Sequence, residues 1–388
     1  MSGENILELR KFLIPEFVYG EGSIKLAGRY ARNFGAKKVL IVTDKGLIKS
    51  GWVNVVETVL KEENIPYVIF DKVEPNPKDS AVMEGCGFYN ENECDVIVAV
   101  GGGSPMDCAK GIGIVSTNNK HILEFEGVDE VPIPGPPLIC IPTTAGSSAD
   151  VSQFAIISDT KRKSKIAIIS KTAVPDVSLI DPFTTTTMPA DLTMATGIDA
   201  LVHAIESYVS NASSPITDIM ALEAIRLVND NLVNAINNPG EMTYRNNMML
   251  GSLYAGMAFS NASLGLVHSM AHSLGGLFDS PHGLCNAILL EYVVDYNFES
   301  AAEKYIQIGK VMGNNVDELN PENKKQALLN SIRLLKKSAG LESTLKSLGV
   351  ASDDLDALAK NAIVDPCLAT NPRQPQLEDI RKIYENAL

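Results

Sequence analysis

Val96 to Lys110 reads VIVAVGGGSPMDCAK. Its first five residues are all apolar, as a strand covered on both faces requires. Three glycines and a serine then break the run. Pro105 opens a segment of helical character, and proline suits the first helical turn because its missing N–H would have no partner there. A strand, a glycine turn and a helix in that order form the repeating unit of a parallel α/β sheet. The flanks repeat it. Lys38–Asp44 (KVLIVTD) reads as a buried strand followed by helical periodicity from Ser50 to Asn64. Tyr67–Asp71 is a second strand before the Pro-rich turn Val73–Pro77, Asp95–Val100 a third and Leu138–Pro142 a fourth. Phe154–Ser158 and Lys165–Ser170 suggest a hairpin across the basic tip Lys161-Arg162-Lys163, and Ser178–Ile180 closes the series before Asp181-Pro182.

The glycine turn is also a place for a phosphate. Gly102 and Gly103 let the backbone approach a ligand closely, and the helix after Ser104 offers N–H groups without internal partners. The same glycines would serve a tight strand-to-helix turn with no ligand. The pattern is not G-x-G-x-x-G, so the ordinary dinucleotide fingerprint is absent. Asp44 stands at the tip of the Lys38–Asp44 strand, where a carboxylate can accept from a ribose and repel a 2′-phosphate, favouring NAD; it could equally cap the next segment. Thr143 and Thr144 follow a strand and suit either phosphate contact or a turn.

Past about Met188 the texture changes: strand-like runs nearly vanish and helical periodicity runs from Asp191 to the end. We expect an α/β N-terminal dinucleotide-binding domain over residues 1–187 and an all-α C-terminal metal-binding domain over residues 188–388. Four of the five histidines fall in this second half. Asp199 and His203 are four apart on a helical stretch, so both side chains leave one face, and His268 and His272 repeat the spacing. His282 sits in a Pro-His-Gly bend. Neutral imidazoles with a carboxylate are a donor set for a divalent transition metal. Each histidine alone would read as a packed core residue; their clustering points to metal. The spacing does not say which four of the five coordinate.

Composition narrows the class. With 388 residues, 45% of them apolar, the chain can bury a large core, and its net charge of −14 argues against a nucleic-acid binder. Six scattered cysteines without a C-x-x-C pair suit a reducing compartment. The first 17 residues lack the pattern of a secretory leader, and no run approaches the roughly 18 apolar residues of a membrane span. A cytoplasmic protein without a membrane or nucleic-acid partner is expected.

Four motifs, GGGSPMDCAK, PTTAG, MATGIDALVHAIE and LGLVHSMAHSLGGLFDSPHG, resemble those of the iron-dependent (group III) alcohol dehydrogenases, a likeness that extends to TNPR at Thr370–Arg373. The resemblance implies NAD and a divalent metal, Fe2+ in first place with Zn2+ as the alternative, and a homo-oligomer acting on small alcohols and aldehydes. It implies Asp199, His203, His268 and His282 as metal ligands and His272 as a proton-transfer residue. Cofactor contacts would be Asp44, Asn76, Gly102, Gly103, Ser104, Thr143, Thr144, Ser147 and Lys165, and the substrate pocket Phe154, Phe259 and Cys367. The family commonly reads PTTAGTGSE, whereas Ser147-Ser148-Ala149-Asp150 stands here; Ser147 keeps a hydroxyl. The segments ILEFEGVD and SADVSQF are similar to a subgroup that regulates ethanol oxidation, so a sensor of alcohol oxidation is one alternative. A polyol dehydrogenase of the glycerol or 1,3-propanediol type is another.

Overall fold

A computed structural model describes residues 11–315 and 319–388. Most of residues 1–17, read above as lacking a leader, therefore lies outside the described residues. The N-terminal part holds β1 (Glu16–Tyr19), α1 (Ala27–Asn33), β2 (Val39–Val42), α2 (Lys45–Ser50), α3 (Trp52–Glu62), β3 (Tyr67–Phe70), α4 (Asp79–Glu91), β4 (Val96–Gly101) and α5 (Gly103–Asn118). It continues through β5 (Gly127–Val128), β6 (Leu138–Pro142), β7 (Phe154–Asp159), β8 (Ser164–Ile169) and β9 (Val177–Ile180). Six strands form one parallel sheet in the order β1-β9-β6-β4-β2-β3. Its central strands are buried throughout and alternate between two cores. Val39 and Ile41 pack with α1 and α3 on one face, Leu40 and Val42 with α4 and α5 on the other. That is why VLIV and VIVAV contain no polar position.

The expected hairpin is present: β7 and β8 pair antiparallel around residues 160–163 and, with β5, make a separate three-stranded sheet. Three expectations need correction. Strand β1 was not anticipated; it lies at the sheet edge against β9 and is only partly buried, so its sequence EFVY carries no clear apolar run. The helix expected from Ser50 to Asn64 is two helices divided at Gly51, whose φ of 89° no β-carbon residue adopts cheaply. The helix expected near Pro105 begins at Gly103, so Gly102 is its N-cap.

The rest of the chain is helical: α6 (Ala190–Val209), α7 (Pro215–Asn237), α8 (Met242–Ala262), α9 (Leu266–Phe278), α10 (His282–Asn297), α11 (Ala302–Val311), α12 (Pro321–Ser338), α13 (Leu355–Ala362) and α14 (Leu377–Ala387). α6 and α9 are largely buried in one large core, which α10 joins through Cys285, Ala287, Ile288, Leu289, Leu290, Val293 and Val294. Among the described residues no helix is long and apolar enough to cross a membrane.

Candidate active site

Helix α6 begins the site. Its 20 residues bury one long face, and Asp199 and His203 leave that face one turn apart, 3% exposed each. α9 places His268 and His272 one turn apart, and α10 starts at His282. The carboxylate of Asp199 and one ring nitrogen each of His203, His268 and His282 lie within 4.8 Å of one another. The rings stack: His203 and His268 are 4.6 Å apart between centroids, and Phe259 lies 4.3 Å beyond His203.

Two of the three imidazoles are aimed from behind. His203 Nδ1 donates to the Gly146 carbonyl at 3.2 Å, and His268 Nδ1 donates to Glu206 Oε2 at 2.7 Å. The carbonyl reaches His203 because the PTTAG loop packs directly on α6; a Cβ on Gly146 would fall 2.5 Å from Thr196 Cβ. Burial holds the imidazoles neutral, moving His203 down to about 4, His268 to about 3 and His282 well below its usual value. A neutral imidazole is the form that binds a metal.

The donor set fits a divalent cation. His268 Nε2 and His282 Nε2 each lie 3.8 Å from Asp199 Oδ1. The Asn286 amide, one turn along α10 from His282, points its NH2 at all three atoms: 2.6 Å to Asp199 Oδ1, 3.2 Å to His268 Nε2 and 3.3 Å to His282 Nε2. An electropositive group is what this converging set of lone pairs selects. Asn286 Oδ1 and His282 Nδ1 are buried without hydrogen-bond partners.

The cluster forms one wall of a cavity of about 940 Å³. The glycine turn lines the same cavity through Gly102, Gly103 and Ser104, as do Thr143, Thr144, Ser147, Asp44 and Asn76. Gly103 and Ser147 sit so close that a Cβ on the glycine would lie 3.0 Å from Ser147 Cβ. Asp44 also caps α2, accepting from the Leu47 N–H at 3.0 Å, so the capping alternative holds alongside its place on the cavity wall. Asn76 spans to the helical part, donating to Asp279 Oδ1 at 2.8 Å. Lys165 is half-buried, and its desolvation lowers its pKa; it lines the cavity. Lys110, on the same helix turn as Asp107, points elsewhere, donating to the Ser152 and Phe154 carbonyls at 2.9 and 2.6 Å. Asp107 Oδ1 is buried without a hydrogen-bond partner, and burial raises its carboxyl to about 6.

His272 reaches the same cavity. Its Nδ1 donates to Asp365 Oδ2 at 2.8 Å, and its ring stacks on His282 with centroids 5.2 Å apart. Burial acts to raise the Asp365 carboxyl, but the His272 imidazole and the Cys367 N–H outweigh it and hold the group below its usual value. Phe154 and Phe259 line the cavity in edge contact, 5.7 Å between centroids. Cys367 does not: it is 1% exposed and packs in the apolar cluster behind the two rings, where Leu264 is the residue that reaches the cavity. Glu206, Asn286, Asp365 and Leu264 were not singled out from sequence. Glu206 shares the α6 face at seven residues from Asp199, and Asn286 is four from His282, so helical spacing would have flagged both.

With this geometry in view, the comparisons with known proteins agree. Residues 15–182 match the iron-containing alcohol dehydrogenase family, and residues 193–388 its Fe-containing alcohol dehydrogenase C-terminal part. The chain belongs to the iron-containing alcohol dehydrogenase family, and it is an oxidoreductase. A 1,3-propanediol dehydrogenase from Citrobacter freundii is 42% identical over 379 residues, covering 97% of this chain and 98% of that protein. An NAD-dependent methanol dehydrogenase from Bacillus methanolicus is 37% identical over 97% of this chain and 99% of its own. The solved structure of an alcohol dehydrogenase from Oenococcus oeni superimposes with a TM-score of 0.95 at 38% identity, over 98% of this chain and 100% of that one.

Proposed function

We propose that the protein is an NAD-dependent, metal-dependent alcohol dehydrogenase interconverting short-chain primary alcohols and aldehydes. The observation that carries this reading is the meeting of Asp199, His203, His268 and His282 in a cavity that the glycine turn before α5 also lines. In this reading residues 1–187 bind the dinucleotide and residues 188–388 bind the metal. Those four side chains would hold the cation, Fe2+ in the family's manner or Zn2+ in its place. When bound, the cation supplies Lewis-acid polarisation of the substrate oxygen and NAD the hydride acceptor or donor.

The protein's own residues do the rest. Gly102, Gly103 and Ser104 present backbone N–H groups to the dinucleotide phosphates at the start of α5. Asp44 accepts from the adenosine ribose, while Asn76, Thr143, Thr144, Ser147 and Lys165 position the remainder. Phe154 and Phe259 give the reacting end an apolar wall that excludes water and favours unbranched alkyl chains. His272, with Nδ1 committed to Asp365, offers Nε2 to accept the proton released by an alcohol and to return it in the reverse direction. The buried, unpaired cysteines support a reducing, cytoplasmic setting, and exposed Ile216 and Ile219 on α7 support self-association into a homo-oligomer.

Purified protein loaded with Fe2+ and supplied with NAD should generate NADH absorbance with alcohols from methanol to hexanol. Bound iron and NAD without turnover on any of them would favour the sensor reading. A polyol reading is supported by the 1,3-propanediol dehydrogenase among the relatives. Rates on 1,3-propanediol and glycerol against butanol decide it.

A further inference from the structure

We infer that Glu206 is a positioning residue that fixes the tautomer of His268 and so makes its Nε2 a metal donor. The inference rests on the ligand set proposed above.

Glu206 projects from α6 seven residues beyond Asp199 and is 4% exposed. Its carboxylate takes three donors: the Val267 N–H on Oε1 at 2.6 Å, and on Oε2 the Gly265 N–H at 3.1 Å and His268 Nδ1 at 2.7 Å. Two of these donors belong to the first turn of α9, whose N-cap, Gly265, has no side chain to cap it. The glycine is required there: a Cβ would lie 2.9 Å from Glu206 Oε1 and 2.8 Å from Asn371 Oδ1. Asn371 takes a further N–H of the turn, accepting from Leu266 at 3.1 Å. One carboxylate therefore anchors a helix start and reads a side chain one turn inside it.

Burial raises the Glu206 carboxyl to about 7, but backbone N–H groups already donate to both of its oxygens, the arrangement that suits the ionised form. An ionised carboxylate only accepts, which places the ring proton of His268 on Nδ1. The lone pair is left on Nε2, the atom that faces Asp199 Oδ1 at 3.8 Å. One helix thus supplies two proposed ligands and the group that orients a third. Carboxylate partners of this kind typically change metal affinity by about 10- to 100-fold.

E206Q keeps the shape and inverts the logic. Its oxygen can serve one side of the site, but its NH2 must then face either a backbone N–H or His268 Nδ1–H. Relief comes only if the His268 proton moves to Nε2, which closes the metal-facing nitrogen. The experiment is competition of the metal-free protein against a chromophoric chelator for Zn2+, with the visible spectrum of the Co2+ form recorded alongside. E206Q should bind Zn2+ about 10- to 100-fold more weakly, with an altered Co2+ spectrum. N371A, which removes the other acceptor from the α9 start, should lower the thermal midpoint yet leave Zn2+ affinity and the Co2+ spectrum as in wild type. E206D, whose carboxylate is withdrawn by about 1.5 Å, should weaken Zn2+ binding too, and it carries the test if E206Q does not fold. H268A separates the two readings: wild-type affinity in H268A refutes the ligand set itself. Loss of affinity in H268A with wild-type affinity and spectrum in E206Q, or in E206D, refutes the role of Glu206 alone. An equal loss of affinity in N371A and E206Q, with unchanged spectra, would reduce Glu206 to a helix cap and overturn the inference.

Discussion

Gly283, beside His282 at the start of α10, is where one methyl group should separate metal binding from folding. A Cβ there would lie 2.5 Å from the Ala195 carbonyl oxygen, 2.9 Å from its carbon and 3.4 Å from Asp199 Cβ. Two of these atoms are backbone of α6, so no side chain can swing aside. To bring 2.5 Å up to the 3.0–3.4 Å of a tight real contact, the start of α10 must retreat by about 0.5 to 0.9 Å. Metal–ligand distances tolerate only about 0.2 Å, and His282 rides on the retreating turn. G283A should therefore weaken Zn2+ binding by about tenfold or more, comparable to losing an orienting partner, and reduce alcohol oxidation at limiting metal. Overpacking costs about 1–3 kcal/mol, while replacing a helical glycine with alanine returns up to about 1 kcal/mol, so the metal-free protein should lose only a few degrees of thermal midpoint. Chelator competition and calorimetry on the metal-free protein measure the two effects separately. A G283A variant that binds Zn2+ within about twofold of wild type would refute the account of how α6 and α10 hold the cluster.

The metal-free protein should be acid-labile. His203 and His268 stay neutral down to about 4 and about 3 when folded, whereas the unfolded chain takes up their protons below about 6.5. Protons therefore favour unfolding: the stability is complete above pH 6.5 and is lost as pH falls toward the folded values, by about 2 kcal/mol per histidine at about pH 5. Urea titrations of the apoprotein at about pH 8 and 5 check this, and a midpoint independent of pH would contradict it. D44S keeps a capping oxygen for Leu47 while removing the charge, so NADP should become usable with little change in thermal midpoint; unchanged NAD-to-NADP preference in kcat/KM rules out the ribose contact. F154A should lower KM for hexanol relative to propanol by opening the apolar wall, and an unaltered chain-length profile would remove Phe154 from the substrate site. Dialysis against a chelator should abolish turnover and leave NADH fluorescence binding intact, with activity restored by Fe2+; loss of both together would place the metal in the dinucleotide site.

Much of this was legible residue by residue. The parallel sheet follows from VLIV, VIVAV and LICIP, because strands covered on both faces leave no position for a polar side chain. Asp199 with His203, and His268 with His272, were visible through the four-residue helical repeat. Edge strand β1 was not, because a half-exposed strand of four residues carries no periodic signal. Gly51 hid a helix break inside a continuous apolar pattern. Cys367 was misplaced for a related reason: alignment of motifs says which residues are near a cleft, but not which of two packed layers faces it.

The sequence alone determined the kinds of element and the chemistry available, since period, glycine placement and donor type are local properties written along the chain. Which histidines share one point was decided by tertiary structure. α6, α9 and α10 meet there only because their buried faces pack into one core. The same packing brings the carbonyl of Gly146 and the carboxylate of Glu206, 57 and 62 residues away in sequence from the rings they hold, into hydrogen-bonding distance.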